Sequence, residues 1–389
     1  MRQSLSMNRR IYPILGCLLL LLPVAIHSVD LLSVEPSAGF HIQETDAEAS
    51  GAVFRQQLLD AAGQQSVHAA TLANLPGGGI GAWWFGGSRE GGKDVEIWFA
   101  RYERSSGRFS PARSIMSRHQ LASDLGRYIR KLGNPAAFLD RDGRLWLFFV
   151  SVSIGGWAGS AVNVMTSDDG GINWSPARRL VTSPFFNIST LVRTPPVLMR
   201  DGSLALPAYH EFLGKFAEII TLEADGSIRS KQRLTWGRDA LQPALVPTAR
   251  DQAHIFMRYA GPPPKRMLYA STEDGGRSFS KARKLDLPNW DNSVAAATLT
   301  GDPHVWLVYN SSEGSRETLS IAISDENPAL SRHIHDFTES GSGGEFSYPA
   351  IVTDPQGFHH VAWTHERKNI SHAVFNDAWL LQLLSEPAQ

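Results

Sequence analysis

The chain has 389 residues, of which 42% are apolar and 19% are charged, and its formal net charge is −1. This charge balance argues against a basic surface of the kind that binds nucleic acids. A single cysteine, Cys17, excludes an intrachain disulfide. The length alone is compatible with two or three domains, so internal repeats have to decide the domain count.

The first 29 residues differ from the rest of the chain. Three arginines precede an apolar run over residues 11–26, and a basic start before a short apolar stretch is typical of an export signal. The run is shorter than the ~20 residues that span a bilayer, and Cys17 lies inside it, which disfavours a lipoprotein anchor. We expect a secretory signal, with a membrane tether through residues 11–29 as the alternative. The protein is therefore predicted to be exported, whether periplasmic, extracellular or membrane-anchored and facing outside.

Residues 30–50 are rich in Ser, Glu, Ala and Asp and predict a flexible linker. Beyond residue 65, a turn followed by a strand of large apolar residues occurs six times, at intervals of about 50 to 60 residues. This spacing, with short strands and no long amphipathic helix, predicts an all-β fold, a six-bladed β-propeller forming one domain over residues 51–385. Residues 52–59 are expected to close the ring as an outer strand of the last blade, with residues 379–384 as the alternative.

Two of the turns share the pattern Ser/Thr-x-Asp-x-Gly-x-x-aromatic, at residues 167–174 and 272–279. The side chains of Asp169 and Asp274 can accept hydrogen bonds from the backbone of their own turns, and the glycine permits a backbone angle that a Cβ would resist. Because these carboxylates are occupied locally, we expect them to define the fold and to take no part in chemistry.

With these turns, residues 65–376 resemble the sialidase superfamily, whose members are six-bladed propellers with Asp-box (BNR) repeats. The most specific segment is residues 82–98, in which Arg89 is followed five residues later by Asp94. The resemblance implies that Arg89 helps to hold a sugar and that Asp94 donates a proton to the leaving group.

The resemblance also implies a site for the carboxylate of an acidic sugar. Arg258 and Arg316 match two of the three arginines with which sialidases hold that group, and a guanidinium fork suits a planar carboxylate. Tyr348 occupies the position of the family's nucleophile. A tyrosine avoids the repulsion that a carboxylate nucleophile would meet from the substrate's own carboxylate. Glu366 resembles the glutamate that orients one of the arginines.

Two positions depart from the family pattern. His68 stands near the place of the first arginine, and a histidine binds an anion only when it is protonated. Gln242 stands where a glutamate would activate the tyrosine, and an amide cannot take its proton. Glu211, at the end of an apolar strand in the third blade, is a candidate for the missing base. Arg193 and Asn134, at the starts of blades three and two, are further candidates to face the central channel.

These residues leave three functions open. The first is an exported glycoside hydrolase that removes a terminal acidic sugar, sialic acid or a relative, with Tyr348 as nucleophile and Asp94 as general acid/base. The second, favoured by His68 and Gln242, is a non-catalytic propeller that binds acidic glycans, and the third is a structural or partner-binding propeller. In the first two the partner is an acidic glycan or glycoconjugate rather than a nucleic acid. No His, Cys and Asp spacing suggests a zinc site, so neither a metal nor another cofactor is expected.

Overall fold

The computed structural model describes residues 38–43, 45, 51–183, 187, 189–302, 304–324, 331–338 and 343–385. The segment predicted to be a signal or anchor, residues 1–29, lies outside the described residues, as does most of the predicted linker. Within the described part of the chain, no helix is both long enough and apolar enough to cross a membrane.

The described residues form six antiparallel sheets, which are the blades of a propeller. Blade 1 contains β2 (Ser66–Asn74), β3 (Ile80–Gly87), β4 (Glu96–Glu103), β5 (Arg108–Phe109) and β6 (Arg113–Met116). After helix α1 (Arg118–Leu125), blade 2 contains β7 (Lys131–Leu139), β8 (Leu145–Val152), β9 (Ser160–Ser167) and β10 (Arg178–Arg179). Blade 3 contains β11 (Leu191–Val192), β12 (Val197–Leu198), β13 (Leu204–His210), β14 (Phe216–Leu222) and β15 (Ile228–Arg233).

The last three blades have four strands each. Blade 4 contains β16 (Ala240–Pro247), β17 (Ala253–Tyr259), β18 (Arg266–Thr272) and β19 (Arg283–Pro288). Blade 5 contains β20 (Ala295–Thr298), β21 (Val305–Asn310), β22 (Leu319–Ser324) and β23 (Arg332–Asp336). Blade 6 contains β24 (Phe346–Thr353), β25 (Phe358–His365), β26 (Asn369–Asn376) and β1 (Phe54–Leu59). The predicted all-β, six-bladed propeller is confirmed.

The ring closes by pairing the first strand of the chain with the last. β1 pairs antiparallel with β26, from Phe54 opposite Phe375 to Leu59 opposite Ile370, as the sequence predicted. The alternative closing segment instead belongs to helix α2 (Asp377–Ser385), whose Trp379 ring stacks on Phe54 at 4.5 Å. Strands that are far apart in the sequence therefore share one blade, and closure of the ring depends on both ends of the domain.

The core consists of apolar layers between neighbouring blades. Successive side chains of a strand point to opposite faces, so Trp83 and Trp84 of β3, both fully buried, enter different layers. Trp83 packs with blade 2 residues such as Phe149, while Trp84 packs with blade 6 residues such as Val374. The apolar core thus extends from each blade to its neighbours, and this packing holds the inner strands in place.

The two turns with the repeated aspartate pattern connect the third and fourth strands of blades 2 and 4. Asp169 Oδ1 accepts hydrogen bonds of 2.8 Å from Asn173 N and from Ser167 Oγ, and Asp274 makes the equivalent bonds. Gly171 has a φ of 85°, which a side chain would resist. These carboxylates are occupied within their turns, as the pattern predicted.

Residues 38–43, part of the predicted linker, lie against the propeller. Phe40 is 2% exposed, forms a β-bridge with Met199, and its N–H donates to the Arg250 carbonyl oxygen at 2.7 Å. This segment is held beside the turns of blades 3 and 4, which lie at the opposite end of the propeller from the site described below.

Candidate functional site

The site is built by a bulge that recurs in the innermost strands. β2, β7, β16 and β24 each lose register with their neighbour near their first residues. Each bulge places one residue at positive φ, between 45° and 56°, namely Ala69, Asn134, Gln242 and Tyr348. A proline follows this residue in three of the four bulges. Proline has no N–H, so it needs no hydrogen-bond acceptor where the pairing between strands is interrupted. Strained backbone of this kind is commonly found at functional sites.

The bulged side chains converge through hydrogen bonds. Asn134 Nδ2 and Gln242 Nε2 both donate to the Tyr209 hydroxyl, at 3.1 and 3.4 Å. Arg258 Nη1 reaches Gln242 Oε1 at 3.3 Å and donates a hydrogen bond of 2.9 Å to the Tyr348 hydroxyl. Four blades therefore contribute to one polar cluster, centred on the Tyr348 side chain.

Arg258 is fixed in this cluster by an acidic partner. Its Nε donates to Asp291 Oδ1 at 2.6 Å. Burial disfavours the cation, but the neighbouring Tyr348 and Asp291 outweigh this and hold the pKa of Arg258 above its ordinary value. Arg258 therefore stays charged beside the Tyr348 hydroxyl.

Two further guanidinium groups share one carboxylate. Glu345 accepts from Arg316 Nη1 at 3.1 Å and from Arg367 Nε and Nη2 at 2.6 and 3.1 Å. Although burial alone would raise it, the hydrogen bonds and charge of Arg367 lower the pKa of Glu345 to about 2. Arg316 also lies 5.6 Å from the centre of the Tyr348 ring, and Arg367 is paired with Glu90 as well. Glu345 thus holds both cations, and one of them, Arg316, lies beside Tyr348.

His68 lies against Tyr348 without contributing a charge. The two ring centres are 4.3 Å apart, and neither nitrogen of His68 has a hydrogen-bond partner among the described residues. Burial, assisted by the nearby Arg367 cation, lowers the pKa of His68 well below its ordinary value. Arg367, from blade 6, lies close enough to His68 to affect it electrostatically. It carries the positive charge that the neutral His68 lacks.

Within the described part of the chain, no side-chain hydrogen bond or ion pair joins Arg89 or Asp94 to this cluster. Both are exposed on the loop between β3 and β4, where the Arg89 carbonyl oxygen accepts from the Gly92 N–H at 2.9 Å. Asp94 accepts from Ser88 N and Oγ at 2.7 and 2.8 Å. Those hydrogen bonds lower the pKa of Asp94, so in this loop conformation the carboxylate is ionised.

Two other predicted residues differ in their placement. Glu211 is half-buried where β13 ends, and burial raises its pKa although the Arg258 cation opposes this shift. Its carboxylate therefore belongs to the neighbourhood of the cluster. Glu366 instead faces Lys368, with 3.4 Å between Oε2 and Nζ, and the carboxylate that contacts the arginines is Glu345.

A cleft of about 480 Å³ opens beside Arg316. Its lining combines charged and aromatic side chains with a glycine: Lys265, Trp290, Asp291, Ser315, Arg316, Glu317, Gly344 and Glu345. Within the described ranges, no group of three or more His, Cys, Asp or Glu residues could hold a metal ion. The cleft thus presents two cations, Lys265 and Arg316, among three carboxylates, and Arg316 connects it to Tyr348.

The structure brings together eight of the predicted residues: Arg258, Arg316, Tyr348, His68, Gln242, Glu211, Asn134 and Arg193. The sequence predictions omitted Arg367, Glu345 and Asp291. The only signal for Arg367 was its place next to Glu366 in a family-like segment. Glu345 and Asp291 lie in connections before inner strands, where no repeat pattern marks them.

Comparison with known proteins agrees with this architecture. The family model of the BNR repeat-like domain matches residues 78–361. The Hadza microbial sialidase Hz136 superposes with a TM-score of 0.66 at 15% identity, over 80% of this chain and 66% of that chain. A Dyadobacter fermentans protein of unknown function has a TM-score of 0.68 at 13% identity, over 83% of this chain and 99% of that protein. The NanB sialidase of Streptococcus pneumoniae has a TM-score of 0.62 at 11% identity, over 88% of this chain and 70% of that protein.

No curated protein matches the sequence significantly. At identities this low, the structural likeness establishes the fold alone. Activity has to be argued from the side chains of this chain.

Proposed function

This chain belongs to the family of BNR repeat-like domains, and from that premise we propose that it is an exported glycoside hydrolase of the sialidase type. Its substrate is a glycan or glycoconjugate that ends in an acidic sugar, sialic acid or a related one. Tyr348 is the nucleophile, and Asp94 is the general acid/base.

The observation that supports this proposal best is the hydrogen bond of 2.9 Å between Arg258 and the Tyr348 hydroxyl, with Arg316 5.6 Å from the same ring. Guanidinium forks bind carboxylates through paired hydrogen bonds. Arg258 and Arg316 adjoin Tyr348, and Arg367 shares Glu345 with Arg316, so a sugar carboxylate held by these cations would place its anomeric carbon near the phenol oxygen.

The reaction then has two displacements. The Tyr348 oxygen forms a bond to the anomeric carbon while the bond to the leaving oxygen breaks and Asp94 gives that oxygen a proton. Glu211 takes the phenol proton, and the Arg258 cation stabilises the developing phenolate. In the second step water attacks the same carbon, Asp94 removes its proton, and Tyr348 leaves and recovers a proton from Glu211.

Asp94 must leave Ser88 for the first step. A general acid has to be protonated near the working pH, whereas the hydrogen bonds from Ser88 keep the pKa of Asp94 low. Closure of the loop between β3 and β4 over a bound sugar would break those bonds and bury the carboxyl group. Both changes raise its pKa.

The second candidate function is a non-catalytic propeller that binds acidic glycans. It is favoured by Gln242, which is 3% exposed and bonded to Tyr209 where a base would be needed. In this case the arginines hold the sugar and no bond is cleaved.

Hydrolysis of a fluorogenic α-sialoside, with calorimetry on the same sugar, separates the two functions. For the hydrolase, Tyr348→Phe lowers kcat by at least about 1000-fold and leaves affinity within a few-fold. Tyr102→Phe, in the third strand of blade 1, where its ring packs on Phe109 and His372, is the matched control and retains activity. If wild type binds the sugar without cleaving it, and Gln242→Glu gains cleavage, the protein is the binding propeller. Neither binding nor cleavage of any acidic sugar would reject both.

A further inference from the structure

The loops around the site carry an unusual set of exposed apolar side chains. Inner strands begin at the end of the propeller that holds Tyr348, so the hairpins after each second strand and the connections between blades lie at that end too. Among the described residues, those of blades 2 and 3 expose six large apolar side chains, each 55% to 83% accessible: Tyr128, Ile154, Val181, Phe212, Leu213 and Trp236. We call these six residues the apolar rim.

The loops that bear the rim adjoin in two pairs, one at blade 3 and one at blade 2. The N–H of Ala240 donates to the Lys215 carbonyl oxygen at 3.2 Å, which joins the loop bearing Phe212 and Leu213 to the connection bearing Trp236. The Arg233 guanidinium lies 4.7 Å from the Trp236 ring centre. In blade 2, the N–H of Arg130 donates to the Val152 carbonyl oxygen at 2.8 Å, which brings the Tyr128 connection beside the Ile154 hairpin.

The charge around the rim has one sign. Among residues 126–131, 153–159, 211–215 and 234–239, the exposed charged side chains are Arg127, Arg130 and Arg238. The acidic residues of the same loops, Glu211 and Asp239, are half-buried. Aromatic and aliphatic side chains flanked by exposed arginines are typical of surfaces that enter the headgroup region of anionic membranes.

We propose that the apolar rim inserts into a lipid bilayer that contains anionic lipids, so that the mouth of the site faces the membrane surface. A fluid bilayer accepts separate protruding side chains. A protein partner would need a packed, complementary surface of about 800 Å² on each side, and the rim consists of isolated tips on separate loops.

Tryptophan quenching tests insertion at the rim itself. The full-length chain is mixed with vesicles of brominated phosphatidylcholine and phosphatidylglycerol, because bromine in the acyl chains quenches only tryptophans that enter them. We expect wild type to be quenched more than Trp236→Phe, and this difference to shrink severalfold in vesicles without phosphatidylglycerol. Equal quenching of the two proteins in both kinds of vesicle would overturn the proposal.

Sedimentation with the same vesicles provides the second test. The combined variant Phe212→Ser, Leu213→Ser, Trp236→Ser should have an about tenfold lower partition coefficient than wild type. The matched control, Leu58→Ser, Ile172→Ser, Leu381→Ser, removes three other apolar side chains that are more than half exposed and should stay within about twofold. Both variants keep the rest of the chain, so any other membrane contact cancels in the comparison.

If the rim variant partitions as the control does, the proposal is wrong. Self-association of wild type that disappears in the rim variant, without vesicle binding, would also overturn it, because the rim would then contact a second copy of the chain.

Discussion

Arg193 donates hydrogen bonds of 2.6 Å to the main-chain oxygen of Tyr348 and 3.0 Å to that of Pro349. These are the two bulged residues of β24, and Tyr348 is held at a φ of 56°. Burial lowers the pKa of Arg193 to about 10, so the group is still a cation at neutral pH. A charged side chain from blade 3 therefore holds the backbone that presents Tyr348.

Replacing this arginine should cost stability as well as activity. Arg193→Met leaves two carbonyl oxygens, one half-buried and one buried, without this donor, and we expect a loss of about 2–4 kcal/mol in the free energy of unfolding. Urea denaturation measures it, and sugar binding measured on the folded variant should weaken because Tyr348 shifts. A variant as stable as wild type, with unchanged binding, would show that Arg193 does not support the bulge.

Arg367 is predicted to bind the substrate carboxylate in place of the missing blade 1 arginine. Arg367→Gln should weaken binding of an acidic sugar by about 10- to 100-fold, because a charge-assisted pair is lost. Arg229→Gln is the control, since Arg229 also pairs with two carboxylates, Glu223 and Asp201, but lies far from the cluster. Calorimetry that gives the same affinity for both variants would remove Arg367 from the site.

Glu345 should make the free energy of unfolding depend on pH. Its pKa falls from 4.5 to about 2 on folding, so its contribution is present above about pH 4.5 and is lost as the pH falls toward 2. Glu345→Gln should therefore cost roughly 2–3 kcal/mol at neutral pH and less at pH 3.5. Urea unfolding at the two pH values tests this, and a constant difference would contradict it.

Glu211 should appear in the pH dependence of hydrolysis. A base acts in its ionised form, and burial raises the pKa of Glu211 above its ordinary value of 4.5, so kcat/KM should rise with pH through that higher pKa. Glu211→Gln should lower kcat by about 100-fold and abolish this rise of kcat/KM with pH, whereas Glu223→Gln, remote from the site, should keep the rise. If the rise persists in Glu211→Gln, the base is another group.

The propeller could be predicted because each blade repeats a turn and an apolar strand, and β1 was expected to close the ring. Arg258 and Arg316 were found because both stand in family-like segments. Arg367 is different. It lies in the turn between β25 and β26, and only ring closure, with the Val67 N–H donating to its carbonyl oxygen at 2.8 Å, places it beside His68.

The bulges were also invisible in the sequence. Nothing in the residue types of Gln242 and Tyr348 marks a positive φ, apart from the proline that follows each of them. Whether Asp94 closes over a substrate stays a prediction, because its position depends on a loop whose hydrogen bonds with Ser88 compete with any bound sugar.

We propose that the guanidinium groups near Tyr348 hold a sugar carboxylate. Calorimetry on Tyr348→Phe, which cannot turn over, tests this with two compounds: the methyl α-glycoside of N-acetylneuraminic acid and the carboxyl methyl ester of the same sugar. We expect the acid to bind and the ester to bind at least about tenfold more weakly, since only the acid pairs with the cations. Equal affinity for the two compounds would contradict it.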